Sequence, residues 1–295
     1  MALQRIGRTK NCWVVGRNPA SAAKFAAVWK FENSTDSLGE TLADPRVEVV
    51  FICSPNALHA EQARMCLNAG KHVVVEIPLA MSRDEARALV DLGSRVKRTL
   101  QVCQTMRSFD AIREMRAIHS SGRDRVTQVV GFFGIPRRNN EGFKGPRSWP
   151  DDLLWHHGGH LVDATMWALA IEEINDPHLI RGPLNPRLQM RMDLSLSFSS
   201  LEGQVVSHSL TYNTARLDWR MKFICEDGGY LFKNGDLFDD KGGIVVRGRT
   251  IRDLELQNNQ LIEHILLGTA SDFEATGILP GLDCLQQLQD RAENT

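Results

Sequence analysis

The sequence lacks several features that would place it in a specialised class of protein. Its 295 residues carry a net charge of −1 at pH 7, so charge does not indicate nucleic acid or a membrane surface as a partner. No apolar run approaches the ~20 residues that a membrane-spanning helix needs, and the first residues contain no apolar core of a secretory signal. The six cysteines include no Cys-x-x-Cys pair, which favours reduced thiols over zinc ligands. We therefore expect a soluble cytoplasmic protein without a metal site.

A glycine-rich phosphate loop is also missing from the front of the chain. Dinucleotide-binding domains normally open with a strand that runs into Gly-x-Gly-x-x-Gly, whose backbone approaches the pyrophosphate. Here Gly7 and Gly16 are isolated, and Gly158-Gly159 follows a loop. The first apolar strand pattern, Trp13-Val14-Val15, looks like the second strand of such a domain. We expect that the chain is a shortened form of a longer ancestor.

Strand and helix patterns alternate in the first hundred residues. The strand patterns cover 13–15, 47–53, 72–76 and 100–103, and the helical patterns cover 20–30, 60–68 and 82–96. Asn18 suits the N-cap of the first helix, with Pro19 at its first helical position. This alternation predicts crossover units in a parallel, doubly wound sheet.

The pattern changes after about residue 106. A helix over 110–119, a strand over 126–133, a basic loop over 137–147 and a helix over 154–170 precede strands over 189–198, 204–212, 219–225 and 230–233, and helices over 253–267 and near the end. Strands joined by turns predict an antiparallel sheet. The predicted fold is α/β. A Rossmann-like domain without its first strand covers 1–106, and an α+β domain with an open, mostly antiparallel sheet covers 107–295.

Short motifs in the first domain resemble those of the Gfo/Idh/MocA oxidoreductases. Glu76-Ile77-Pro78 resembles their Glu-Lys-Pro motif, and Ser54-Pro55-Asn56 with His59 resembles their loop beside the nicotinamide. The resemblance implies a bound nicotinamide cofactor, contacted by Ser54, Pro55, Asn56, His59, Glu76 and Pro78. The sequence departs from the family at Ile77, which replaces the catalytic lysine.

Arg17 follows the strand whose last residue selects the cofactor in this kind of domain. A basic group there accommodates the 2′-phosphate of NADP, whereas an acidic one binds the ribose of NAD. Arg17 therefore predicts NADP, with NAD as the other choice. A solvated arginine at a strand end explains the residue equally well.

Later motifs resemble one branch within the family. Pro146-Arg147-Ser148-Trp149 and the stretch 152–157 are similar to enzymes that oxidise a cyclic hemiacetal from aromatic-acid degradation to a pyrone dicarboxylate. A carboxylated substrate calls for cationic groups, best the planar fork of arginine. The residues expected to bind this substrate are Arg107, Arg137, Arg138, Arg147, Trp155 and His156.

Three histidines within five residues supply candidates for the base that this oxidation needs. His160 and Asp163 are three apart on a predicted helix and therefore share one face. Imidazole has an ordinary pKa near ~6.5, which suits proton transfer at working pH. We expect His160 to be the base, with His157 as second candidate and Asp163 supporting the imidazolium. The family's later histidine is Trp167 here, which shifts the task further toward His160.

Other interpretations stay open at this point. The histidines are structural, or they bind metal, although His156 and His160 lack the intervening glutamate of His-Glu-x-x-His. The enzyme acts on a sugar or another cyclic alcohol, or the chain is a non-catalytic relative that binds cofactor poorly. In the family the open sheet commonly packs against another subunit, so strands over 189–233 predict a homo-oligomer.

Overall fold

A computed structural model describes residues 7–137, 139, 141–142, 145–146, 152–248 and 250–293. The elements up to residue 102 are β1 (Trp13–Val15), α1 (Pro19–Trp29), β2 (Asn33–Thr35), α2 (Leu38–Ala43), β3 (Val49–Ile52), α3 (His59–Asn68), β4 (His72–Val75), α4 (Arg83–Val96) and β5 (Leu100–Val102).

The elements from residue 110 onward are helices and many strands. They are α5 (Asp110–Ser120), β6 (Val126–Gly134), β7 (Glu141–Gly142), β8 (Gly145–Pro146), α6 (Gly159–Ala168), β9 (Ile174–Arg181), β10 (Leu184–Asn185), β11 (Met190–Arg191), β12 (Asp193–Ser200), β13 (Val205–Thr211), β14 (Asp218–Cys225), β15 (Gly228–Lys233), β16 (Asp236–Asp239), β17 (Ile244–Val246), α7 (Thr250–Leu267) and α8 (Leu279–Glu293).

The chain divides into two compact units. The first contains the described residues up to Ala80 together with Asp84–Cys103 and Leu254–Ala275, and the second contains Met81–Arg83, Gln104–Asp253 and the remainder. The first unit therefore takes back a helical segment from late in the chain. The linear division into 1–106 and 107–295 stays a prediction about functional domains.

All strand pairs of the first unit are parallel, which confirms the predicted α/β class. β1 pairs with β2, and β4 lies between β3 and β5. Among the described residues these are two separate sheets, of two and three strands. As predicted, the Asn18 side chain caps α1 by accepting a hydrogen bond from the Ser21 N–H at 3.0 Å. β2 and α2 lie in a stretch for which the sequence predicted no element.

Apolar side chains from α7 cover one face of the three-stranded sheet. Leu261 packs against Val74 of β4 and against Cys103, and Phe51 of β3 joins this cluster. The late segment of the first unit therefore covers this face of the sheet, while Val49, Val50 and Phe51 of β3 stay partly exposed. The sheet can then present its carboxyl-end loops as a rigid edge.

The second unit is built on an eight-stranded sheet in the order β17-β16-β15-β14-β6-β13-β12-β9. Every neighbouring pair is antiparallel except β13 with β6, so the sheet is mostly antiparallel, as predicted. Along β12 buried apolar residues alternate with more exposed polar ones, including Ser195 and Ser197. One face therefore forms the core, and the other presents short hydroxyl side chains.

The predicted helix over 154–170 differs from the observed backbone at its start. Leu154–Gly158 forms a π turn, and regular helix begins at Gly159. Such one-turn insertions are rare in proteins as a whole, and those that occur are often found at functional sites. This one carries two of the three clustered histidines. In the described part of the chain, no helix has the length and apolar character required to cross a membrane.

Candidate active site

Loops at the carboxyl ends of β3 and β4 are tied together by His59. Its ring is 1% exposed. Nε2 lies 2.8 Å from the Ser54 carbonyl oxygen and Nδ1 lies 2.7 Å from that of Pro78. Carbonyl oxygens only accept hydrogen bonds, so the ring donates to at least one of them. His59 therefore fixes the two loops against each other, a positioning task that differs from the predicted cofactor contact.

The ends of three neighbouring strands form the sheet edge next to the two loops that His59 connects. Register places Cys53, Glu76 and Cys103 directly after the paired residues of β3, β4 and β5. Glu76 is exposed, whereas Cys103 is buried. Burial and the nearby Glu76 carboxylate raise the pKa of the Cys103 thiol well above its ordinary value. That thiol is therefore protonated and is not a nucleophile.

These strand ends fit the nicotinamide portion of a dinucleotide. Ligands of open α/β sheets bind at the carboxyl ends of the strands, where Asn56 begins a 3-10 turn and Glu76 faces solvent. Arg17 is exposed between the end of β1 and the cap of α1, as a 2′-phosphate contact requires. The sequence offers no Gly-x-Gly-x-x-Gly for the pyrophosphate. The contacts of these residues with a cofactor therefore stay a prediction, and so does the choice between NADP and NAD.

In the second unit, Asp152 and Gln289 hold the π turn in place. The Asp152 carboxylate accepts hydrogen bonds from the N–H groups of Leu154 and Trp155, at 2.9 and 3.0 Å. The Trp155 indole donates to Gln289 Oε1 at 2.5 Å, and the side chain is 2% exposed. Trp155 was predicted to bind substrate. The structure assigns it to the core, because its polar atom already has a partner.

The histidines of the π turn form a ring stack. His156 lies on His157 with centroids 4.0 Å apart, and Phe133 stacks on His157 at 4.7 Å. Tyr212 meets the His157 ring edge-on at 5.6 Å. Aromatic partners on several sides restrict the rotation of the imidazole. His157 is therefore a rigid wall of the site, with His156 next to it.

His160 lies one turn further along, near the start of α6. Its ring is surrounded by protein atoms, although part of the residue remains exposed, and Nδ1 is buried without a hydrogen-bond partner among the described residues. Burial and the nearby His156 lower the pKa of His160 to about 3. His160 is therefore a neutral imidazole at physiological pH, with an unpaired nitrogen.

Asp163 is bound to Arg107 rather than to His160, which corrects two predictions. Arg107 Nε lies 2.8 Å from Oδ2 of the carboxylate, and its NH2 group lies 2.6 Å from Oδ1 and 2.7 Å from the Gly277 carbonyl. The two side chains are 3% and 2% exposed. Burial raises the pKa of Asp163, and the guanidinium opposes this. Arg107 therefore anchors α6 internally instead of meeting a substrate carboxylate.

Arg137 is linked to the histidine stack through Tyr212. Its guanidinium carbon lies 4.6 Å from the centre of the Tyr212 ring, and Tyr212 contacts His157. The backbone N–H of Arg137 also donates to the Tyr212 carbonyl at 3.1 Å. Arg138 and Arg147, also predicted to bind substrate, lie outside the described residues.

Three aromatic residues of this site were not predicted. Trp219 of β14 is in register with Phe133 of β6, and their ring centroids are 5.2 Å apart. Tyr212 directly follows β13. A pairing of β6, β13 and β14 would have brought them together, but strand order across long connections cannot be read from alternation alone.

Within the described residues, no group of three His, Cys, Asp or Glu side chains could hold a metal ion.

Comparison with known proteins agrees with this two-part arrangement. Residues 2–104 match the model of the oxidoreductase family with an NAD-binding Rossmann fold, and residues 117–247 match that of the C-terminal part of bacterial oxidoreductases. A 4-carboxy-2-hydroxymuconate-6-semialdehyde dehydrogenase of Sphingobium sp. (strain NBRC 103272 / SYK-6) is 32% identical over 99% of this chain and 93% of its own length. The chain belongs to the Gfo/Idh/MocA family. It is an NAD(P)-dependent oxidoreductase, as predicted.

Other relatives are similar over shorter stretches or in fold alone. Levoglucosan dehydrogenase of Pseudarthrobacter phenanthrenivorans is 45% identical over 25% of this chain and 19% of its own. The WlbA dehydrogenase of Bordetella pertussis, solved with NADH and UDP-GlcNAcA, has a TM-score of 0.85 at 18% identity, over 99% of this chain and 91% of that chain. The latter likeness supports the fold of this family member.

Proposed function

We propose that this oxidoreductase converts the cyclic hemiacetal of 4-carboxy-2-hydroxymuconate-6-semialdehyde to 2-pyrone-4,6-dicarboxylate. The observation that carries the proposal is the neutral His160 beside the His156–His157 stack, in a chain whose family lysine is replaced by the buried Ile77. The name of the relative that matches nearly the whole chain supports the choice of substrate. The pathway is the degradation of aromatic acids through ring cleavage.

Oxidation of a hemiacetal removes a proton from its hydroxyl group and a hydride from the same carbon. A nicotinamide cofactor, when bound, would accept the hydride, and the residues that would contact it are Ser54, Pro55, Asn56, Glu76 and Pro78. His160 accepts the hydroxyl proton at its unpaired Nδ1. His157 is the second candidate for this role. Asp163 acts indirectly, because its ion pair with Arg107 fixes the helix that carries His160.

Arg137 supplies charge for the carboxylates of the substrate. A guanidinium whose face covers an aromatic ring still carries N–H donors along its edge. The half-buried position over Tyr212 lowers the local dielectric and strengthens an ion pair with a carboxylate. Arg138 and Arg147 from the same loop are proposed as further contacts.

The test is turnover with the ring-cleavage product of protocatechuate. Appearance of the reduced nicotinamide band should depend on enzyme, substrate and cofactor, and pyrone dicarboxylate should accumulate in equal amount. Calorimetric titration with NADP and NAD must first show cofactor binding. Cofactor binding without turnover of this substrate would reject the proposal, and turnover of levoglucosan or inositols instead would favour a sugar-type alcohol.

We further propose NADP as the preferred cofactor and a homo-oligomer formed through the open sheet face. Arg17 supports the first proposal by its position after β1. For the second, Ser195 and Ser209 face outward at the centre of the sheet, and Val130, also there, is 44% exposed. Lys222 and Arg220, the register neighbours of Val130 and Phe132, are paired with Asp240 and Asp218, so this face carries balanced charge that a second copy can meet. Light scattering would show a monomer if this proposal is wrong, and Val130→Glu should weaken the oligomer.

A further inference from the structure

The indole of Trp219 has an unused hydrogen-bond donor. Its Nε1 atom is buried and has no hydrogen-bond partner among the described residues. Two other tryptophans show the usual arrangement, because Trp13 donates to Asp44 Oδ2 at 2.8 Å and Trp155 donates to Gln289. Indole nitrogen only donates, and buried donors are nearly always paired. An unpaired one calls for a ligand that supplies the acceptor.

Apolar rings surround the Trp219 indole. Phe109, Phe133 and Phe232 meet it edge-on with centroids 5.6, 5.2 and 5.8 Å away. An ordered buried water needs two to four polar partners, and these rings provide none. The same apolar surroundings strengthen a hydrogen bond to a charged acceptor, since little water competes for the donor. A carboxylate that hydrogen-bonds to this donor must displace the neighbouring rings, because the atom is closed to solvent, and a cation must offset the cost of desolvating it.

The backbone of Trp219 is held rigidly. Its N–H donates to Asn234 Oδ1 at 2.9 Å, and its carbonyl accepts from the Asn234 N–H at 2.8 Å. Asn234 has a φ of 50°, a left-handed conformation that asparagine tolerates better than most residues. The turn after β15 thus fixes the strand residue that carries the indole.

Trp219 is also connected to the candidate base region through one ring. Phe133 lies between them, 5.2 Å from Trp219 and 4.7 Å from His157. Trp219 and Phe133 are register partners on adjacent strands, and Met221, two residues further along β14, is fully buried. The indole therefore lies on the core side of the sheet, as does Phe133.

We infer that Trp219 is a specificity-determining residue whose indole N–H donates a hydrogen bond to a carboxylate oxygen of the substrate. The inference rests on the proposed function for the identity of that substrate. A site built around a donor discriminates strongly against analogues that lack the acceptor, because the donor is then left buried and unpaired. Arg137 neutralises charge, and Trp219 fixes the orientation of the acid that it binds.

The experiment is calorimetric titration of the full chain with 2-pyrone-4,6-dicarboxylate. Trp219→Phe keeps an aromatic side chain and removes the donor. It should weaken binding roughly ten- to hundredfold, as expected for one hydrogen bond to a charged acceptor. Trp13→Phe makes the same chemical change where the donor already has a protein partner. That control should lower the melting temperature and leave the affinity for the dicarboxylate within about twofold.

A second measurement follows the indole N–H directly. The ¹H–¹⁵N resonance that disappears in Trp219→Phe should move downfield in the unmodified protein when the dicarboxylate is added. If Trp219→Phe does not fold, this shift in the unmodified protein tests the inference by itself. Binding of the dicarboxylate with an unmoved resonance, or with unchanged affinity in Trp219→Phe, would overturn the inference and leave the proposed function standing. No binding by the unmodified protein would overturn both.

Discussion

Arg107→Met tests whether the buried ion pair is a structural anchor. The substitution keeps much of the side-chain volume but leaves the Asp163 carboxylate, 2% exposed, without the two N–H donors at 2.8 and 2.6 Å. Breaking a buried pair in this way costs about 3–5 kcal/mol of unfolding free energy. The Gly277 carbonyl also loses its donor at 2.7 Å, which adds about 1 kcal/mol. We expect the lower part of this combined range, because the site relaxes.

The assay is urea unfolding followed by tryptophan fluorescence and far-ultraviolet circular dichroism. Arg125→Met is the matched control, because the Arg125–Glu226 pair is exposed and should contribute less than about 1 kcal/mol. A double variant, Arg107→Met with Asp163→Leu, should be more stable than Arg107→Met alone, since no charge stays buried. The reasoning would be refuted if Arg107→Met lowered the free energy of unfolding by less than about 1 kcal/mol. It would also be refuted if the effects of Arg107→Met and Asp163→Leu, measured singly, simply added in the double variant. Normal stability with a raised substrate KM would instead restore Arg107 as a substrate ligand.

Four further predictions follow from single contacts. His160→Ala should lower kcat roughly 10²- to 10⁴-fold while the Kd for NADP changes little, and equal losses in steady-state rates and cofactor titration would exclude His160 as the base. Arg17→Glu should shift the ratio of kcat/KM toward NAD, and an unchanged ratio would show that Arg17 does not select the cofactor. Burial lowers the pKa of His208 from 6.5 to about 4, so the folded state resists protonation. The free energy of unfolding is therefore unaffected by His208 above its unfolded-state pKa and decreases as the pH is lowered, by about 2 kcal/mol at pH 5. His208→Gln should remove this decrease from urea unfolding curves. Gly131→Ala would place a Cβ 2.3 Å from Nδ1 of the buried His208, so we expect at least about 1–3 kcal/mol of destabilisation, relieved in a double variant with His208→Ala.

Strong local signals account for the elements that the sequence predicted. Apolar runs of a few residues predicted β1 and the parallel strands over 49–52 and 72–75. The Asn18 cap, which also acts locally, predicted the start of α1. The strands that escaped prediction are polar or partly exposed. β9 carries Asn175, Asp176 and Pro177 and pairs on one side only, so its exposed pattern does not resemble a core strand.

The chemistry of the site depended on long-range contacts that motifs do not contain. The sequence placed Asp163 beside His160 because the two are three positions apart on one helix, yet Asp163 pairs with an arginine 56 positions earlier. The π turn could not be predicted either, because one extra residue in a single turn does not change the spacing of apolar residues in a recognisable way. Local spacing therefore located the histidine cluster, while the partner of each side chain depended on packing.

The charge distribution of the second unit gives a reason why the substrate itself should carry negative charge. His160 is kept neutral, with a pKa of about 3, by burial and by His156. At that value the imidazole is a weak base, because general bases work best with a pKa near the operating pH. An anion bound close by favours the imidazolium and raises the pKa, and each pKa unit corresponds to about 1.4 kcal/mol of interaction between the two. An uncharged sugar would leave the base weak. A carboxylated ring would strengthen it on binding, so recognition of the acid and activation of the base would share one electrostatic origin.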